Sequence, residues 1–273
     1  MKLGVRAHDF GRIAPDEQAR AISAAGFSCV QFAPTKGMPG VNHFQDVTIK
    51  ALEEIAAAYA KHEVEMTVLG CYIQPSLHDR DKRLEQVAFF KEGLTQAKRM
   101  GVPIVGTETT RFDQRADPTE RERAFARLKD SILRMVEHAE REHVIIGIEP
   151  VALDTLNTPE LARRLLDEVG SDKLKIIFDP VNLVLPREFD QQEAIYTRVL
   201  DCLGSDIVAV HIKDVTIEQG EKVWQPIGVG QVRYALIFDW LRTNKPDMRL
   251  LREGVQMDSY AADRAAMEKL TKG

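Results

Sequence analysis

Eight short apolar or β-branched runs recur along the chain, and each is followed by a stretch of helical periodicity. The runs are Leu3–Ala7, Cys29–Ala33, Glu65–Leu69, Val102–Gly106, Val144–Ile148, Leu174–Phe178, Ile207–Val210 and Met248–Leu251. Runs such as VIIGI at 144–148 and LKIIF at 174–178 are continuous rather than alternating. That pattern suits strands covered on both faces, as in a parallel sheet flanked by helices. Helical windows separate the runs. Pro15–Ala25 opens on a proline and stops at Gly26, and Asp46–His62 carries Ile49, Leu52, Ile55 and Ala56 at helical spacing. Asp81–Met100 ends at Gly101, and Pro118–Arg141 aligns Phe125, Leu128, Ile132, Met135 and Val136 on one face. Asn157-Thr158-Pro159-Glu160 is a helix start, and its helix runs to Gly170. Gln191–Leu203, Val232–Arg242 and Ser259–Leu270 complete the series.

Strict strand–helix alternation predicts a parallel sheet, and eight units close as a (β/α)8 TIM barrel. No Gly/Ser-rich or Pro-rich linker breaks the alternation, so residues 1–273 are expected to form a single domain. An open doubly wound sheet competes, but neither GxGxxG nor GxxxxGK[ST] is present. The net charge is −5 with no basic stripe, which argues against a nucleic-acid partner. No apolar run approaches the ~20 residues of a membrane helix, and the N-terminus has no apolar signal segment. Cys29, Cys71 and Cys202 are widely spaced and odd in number, which disfavours a disulfide framework. A reducing cytoplasm is the expected setting, with Cys29 and Cys202 as buried spacers.

Reactive groups in such a barrel stand at the C-terminal ends of the strands. The fifth run leads to Glu149, the sixth to Asp179, the seventh to His211 and the eighth to Glu253. Taken singly, a Glu after a strand is a cap, an Asp-Pro is a turn and a His is a packed core residue. Taken together, three carboxylates converging on one buried rim repel one another unless a cation lies between them. The set therefore predicts one divalent metal ion. With one imidazole, three carboxylates and no thiolate, Mn²⁺ or Mg²⁺ fits best, Mn²⁺ foremost, and Co²⁺ or Zn²⁺ stays open. His8, Glu108, Asn182 and Lys213 are candidate substrate-binding groups. The plainer roles are packing for His8, a turn cap for Asn182 and an ion pair with Asp214 for Lys213. Tyr72 and Trp224 either line the mouth or pack on neighbours.

The strings IEP (148–150), FDPVN (178–182), HIKD (211–214), REG (252–254) and QPIGVGQV (225–232) resemble the motifs of the sugar phosphate isomerase/epimerase family, the xylose-isomerase-like TIM barrels. The resemblance runs in order along nearly the whole chain. It implies Glu149, Asp179, His211 and Glu253 as metal ligands, and Glu149 and Glu253 as an acid/base pair. It implies an isomerase or epimerase acting on a sugar or keto-polyol, by proton transfer through a metal-stabilised enediolate. A lyase using the same first step, as in inosose dehydratases, is the alternative, and a phosphodiesterase like the AP endonucleases is a more distant one. Two features depart from the ketose 3-epimerase pattern and one from the family's usual second strand. Asn182 stands in place of a His, Val215-Thr216-Ile217 lacks an Arg, and Gln31 replaces the usual second-strand Glu. The resemblance also implies a homo-oligomer built through the outer helices.

Overall fold

The computed structural model describes residues 1–255 and 259–273. Its eight barrel strands are β1 (Lys2–Arg6), β2 (Cys29–Phe32), β3 (Glu65–Gly70), β4 (Ile104–Thr107), β5 (Ile145–Ile148), β6 (Leu174–Phe178), β7 (Ile207–Ile212) and β10 (Arg249–Arg252). They close in the order β1-β10-β7-β6-β5-β4-β3-β2, every neighbour parallel. The single-domain (β/α)8 barrel expected from the alternation is the observed fold. The outer layer comprises α1 (Pro15–Ala24), the short α2 (Pro34–Gly37), α3 (Ile49–Lys61), α4 (Arg80–Met100), α5 (Pro118–Glu142), α6 (Pro159–Val169), α7 (Gln192–Leu203), α8 (Ala235–Asn244) and α9 (Tyr260–Lys272). Among the described residues no helix is long and apolar enough to cross a membrane.

Local chemistry sets the helix ends. Asp79, Thr158 and Thr48 accept the first free amides of α4, α6 and α3. α3 therefore starts at Ile49, three residues later than the apolar spacing predicts, because Phe44–Asp46 form a 3₁₀ turn ahead of the Thr48 cap. Inside the barrel, Cys29, Val68, Ile104, Ile177, Ala209 and Leu251 pack as a cluster of their own. Gly147 makes room for it, since a Cβ there would lie 2.8 Å from Ile177 Cδ1. Cys29 is a buried spacer as expected, its thiol pushed up to about 12 by burial. Cys202 is only partly buried, packed against the edge of the core from α7.

The largest departure lies between β7 and α8. The sequence reads as a loop there, but the chain forms an antiparallel hairpin, β8 (Asp214–Glu218) and β9 (Glu221–Gln225). Behind it, Asp214 organises the Gly-rich segment. Its Oδ1 accepts from the amides of Val215 and Val232, and its Oδ2 accepts from those of Gly228 and Gly230. Because Val232 is held in this clamp, α8 begins at Ala235 rather than at Val232. At Gly230 a Cβ would come within 2.2 Å of Asp214 Oδ1. Gly230→Ala is thus expected to lower unfolding stability by about 2 kcal/mol or more, as the clamp loses its buried amide bonds. Urea denaturation checks this, and an unchanged midpoint would refute the clamp.

Candidate active site

Glu149 and Glu253 stand one residue beyond β5 and β10. Their amides still extend the ladders, to Thr107 O at 2.9 Å and Ile212 O at 3.0 Å. Both are buried, as are Asp179 after β6 and His211 within β7. The strand ends thus hold four polar side chains rigidly below the rim.

The imidazole of His211 is the hub. Its Nε2 lies 2.8 Å from Gln31 Oε1, while Gln31 Nε2 donates to the Tyr72 hydroxyl at 2.8 Å. An amide oxygen can only accept, so Nε2 carries the proton in that bond and Nδ1 turns inward. Nδ1 is buried with no hydrogen-bond partner. It lies 3.2 Å from Glu149 Oε2, 3.4 Å from Glu253 Oε1 and 3.6 Å from Asp179 Oδ2. Burial disfavours a charged imidazole, but Glu253 and Glu149 outweigh it and raise the His211 pKa well above the ordinary value. The three carboxylates therefore call for a positive charge at this nitrogen.

Asp179 has two jobs. Oδ1 accepts the amides of Val181 and Asn182, each at 2.8 Å, which makes the turn that Asp-Pro signals. Oδ2 faces the cluster, and Lys213 Nζ forms an ion pair with it at 2.5 Å. Lys213 Nζ also donates to Glu253 Oε2 and Asn182 Oδ1, both at 2.9 Å. It makes no pair with Asp214, whose oxygens are occupied by the loop amides. Asn182 Nδ2 donates to Glu149 Oε1 at 2.7 Å, so Asn182 links Lys213 to Glu149 besides sitting in the turn. Burial opposes the ionised form of Glu253, yet Lys213, His211 and Arg6 hold its pKa well below the usual carboxylate range.

Glu149, Asp179 and His211 offer ligand atoms that all lie within 4.8 Å of one another, a buried set that could hold a metal ion. Glu253 faces the same nitrogen but stands outside that compact trio, with its other oxygen on Lys213. An imidazole lone pair and carboxylate oxygens, aimed together and short of donors, suit a divalent cation.

His8 and Glu108 reach the mouth from the ends of β1 and β4. His8 Nδ1 is buried and unpaired, and burial together with Arg6 pushes its pKa down to about 4. Burial, then Glu149 and Asp154, pushes Glu108 up to about 7. Tyr72 carries the Lys36 ammonium 3.6 Å above its ring, and Trp224, on β9 and 49% exposed, lies over Lys213 at 5.4 Å. Neither Arg6 nor Asp9 stands out in the sequence. Arg6 Nη1 lies 3.6 Å from Glu253 Oε1. Asp9 accepts the amides of Gly254 at 2.8 Å and Val255 at 3.2 Å, and so fastens the chain just after Glu253. Arg6 lies within the first apolar run and Asp9 in the turn after it, positions where single polar residues are common. The 610 Å³ groove between α8 and α9 touches this chemistry only through Asp214 and reads as a packing groove.

A closed parallel barrel with buried carboxylates and an imidazole gathered at its strand ends defines a (β/α)8 barrel whose mouth carries a possible metal site. Residues 19–267 match the sequence profile of the xylose isomerase-like TIM barrels, and the chain belongs to that family. Solved structures with this fold include a D-tagatose 3-epimerase-like protein, with a TM-score of 0.81 and 15% identity over 100% of this chain and 97% of that one. The apo 3-keto-D-glucoside 4-epimerase of E. coli gives 0.79 and 19%, covering 100% of both chains. A probable 3-DHS dehydratase of Bacillus anthracis gives 0.73 and 17%, covering 99% of both. At these identities the likeness concerns the fold. No curated protein sequence matches the chain significantly.

Proposed function

We propose that the chain is a divalent-metal-dependent isomerase or epimerase that moves a proton beside the carbonyl of a sugar or keto-polyol. The observation that carries this reading is the His211 Nδ1 atom, buried and unpaired, with oxygens of Glu149, Glu253 and Asp179 at 3.2, 3.4 and 3.6 Å. Glu149, Asp179 and His211 would hold the ion with Glu253 beside them, and Mn²⁺ is the favoured metal. Bound there, it would polarise a substrate carbonyl and offset the charge that develops as the neighbouring proton leaves. Glu253, kept ionised by Lys213, His211 and Arg6, is set to accept a proton. Glu149 approaches from the far side of β6 and β7 in the strand order, and is set to return one. Asn182 and Gln31 act as positioning residues, the first on Glu149 and the second on His211. Lys213 is placed to meet a substrate oxygen beside Glu253.

One observation favours β-elimination as a second reading. Burial, Glu149 and Asp154 push Glu108 up to about 7, so part of this group is protonated near neutral pH, and it follows the strand next to that of Glu149. A leaving hydroxyl could take that proton. Ketoses, inososes and 3-keto sugars incubated in D₂O with Mn²⁺, followed by NMR, decide between the readings. Proton exchange without loss of water supports the epimerase, and an unsaturated product supports the lyase. Chelation is expected to abolish either activity while the barrel stays folded. Full turnover in metal-free protein would remove the metal from the reading.

A further inference from the structure

The hydrogen bonds behind His211 run in one direction and end on an unused proton. His211 Nε2 donates to Gln31 Oε1 at 2.8 Å, and Gln31 Nε2 donates to the Tyr72 hydroxyl oxygen at 2.8 Å. The Tyr72 oxygen is thus an acceptor, and its own O–H finds no acceptor among the described residues. Such a chain is cooperative, because each donor is polarised by the bond behind it. Positive charge at His211 Nδ1, from a proton or an ion, strengthens the Nε2 donor and through it the last link. The far end of the chain lies among the charges of the cluster, since Glu253, Arg6 and Glu149 all act on the phenol.

The ring is held as well as the hydroxyl. Tyr72 stands two residues beyond β3, and a Cβ at Gly70 would lie 3.2 Å from both its hydroxyl oxygen and Cε2. The phenol therefore lies back across the end of the strand. Lys36 Nζ sits 3.6 Å above the ring centroid, and its ammonium makes no ion pair or hydrogen bond among the described residues. A cation on the ring face draws charge into the ring and makes the phenol a stronger donor. Burial, then Glu253, raises the Tyr72 pKa above the ordinary value, so the hydroxyl keeps its proton at neutral pH. We propose that Tyr72 is a further catalytic residue, whose hydroxyl donates a hydrogen bond to the substrate oxygen that becomes negative in the reaction. The role rests on reading the cluster as the site of proton transfer beside a carbonyl. In that step the C–H bond breaks and its proton passes to a carboxylate. Its electron pair forms the C=C bond, while the carbonyl π pair moves onto oxygen. Tyr72 gives up no proton. It offers a dipole already held and polarised, which needs no reorganisation as the charge appears.

The test is calorimetric binding of D-threonohydroxamate and D-threonamide to the Mn²⁺-loaded protein, unsubstituted and as Tyr72→Phe. The hydroxamate ionises to a planar chelating anion that resembles an enediolate, and the amide has the same carbon skeleton without that charge. Tyr72→Phe keeps the ring, its packing on Gly70 and the Lys36 contact, so melting temperature and Mn²⁺ affinity are expected to stay close to those of the unsubstituted protein. The hydroxamate should bind the variant more weakly by about tenfold or more, and the amide should change by no more than about twofold. An unchanged hydroxamate affinity, or an equal loss for both probes, would overturn the role. A matching loss of Mn²⁺ affinity would overturn it too, by making Tyr72 a prop for His211 through Gln31. No hydroxamate binding to the unsubstituted protein would remove the proposed reaction itself, and this role with it, so the two failures are distinct.

Discussion

Glu149→Gln and Glu253→Gln, each saturated with Mn²⁺, are expected to lose turnover by about 10²–10⁴-fold, the usual contribution of a general acid or base. Both substitutions keep the shape of the side chain. In Glu149→Gln the amide oxygen can still accept from Asn182, because that bond uses only Oε1. In Glu253→Gln the amide oxygen can still accept from Lys213, which lies 2.9 Å from Oε2. What each variant loses is an ionisable oxygen facing His211 Nδ1. Weaker metal binding would mimic this loss, so metal content is measured in the same samples. Solvent exchange then divides the roles. The variant lacking the abstracting carboxylate should stop exchanging deuterium. The variant lacking the other should keep exchange and lose product. Turnover near the unsubstituted level in a metal-loaded variant would reduce that glutamate to a ligand or remove it from the chemistry.

Much of this site was legible because parallel barrel strands are buried on both faces. A continuous apolar run that ends in a carboxylate or a histidine then marks where a polar group is forced inside, as at Ile148-Glu149 and Phe178-Asp179. The hairpin was less visible. Asp214–Glu218 and Glu221–Gln225 flank Gln219-Gly220, and both turn residues take positive φ, 51° and 83°. Asn-Gly would have announced such a turn, but Gln-Gly is a weaker signal. Gln31 reads as a departure from the usual second-strand Glu, yet the fold uses it to orient His211, a pairing across 180 positions that no local pattern reveals. Asp9, which holds the Gly254 amide 245 positions away, has the same kind of invisibility. Side chains whose role is to hold another side chain leave little trace in spacing. Those at the ends of apolar runs leave a strong one.

Lys213→Met is expected to destabilise the metal-free protein by about 3–5 kcal/mol, the cost of breaking a buried charge pair from one side. Lys213 is 3% exposed, and its ammonium faces Asp179 at 2.5 Å and Glu253 at 2.9 Å. Burial works against that charge, but Asp179, Glu253 and Glu149 outweigh it and hold the pKa above the ordinary lysine value. Methionine keeps much of the volume and removes the charge, leaving three buried carboxylates with His211 as their nearest cation. A chain of this size should then melt lower by on the order of 10 °C. A divalent ion held by Glu149, Asp179 and His211 would compensate the same carboxylates, and it stabilises the folded state by mass action. Mn²⁺ should therefore raise the melting temperature of Lys213→Met by more than it raises that of the unsubstituted protein. Thermal unfolding with chelator and with Mn²⁺ measures both differences. Equal melting temperatures without metal would mean that Lys213 does not balance these carboxylates. A deficit that Mn²⁺ leaves unchanged would mean that the ion and Lys213 do not compensate the same carboxylates.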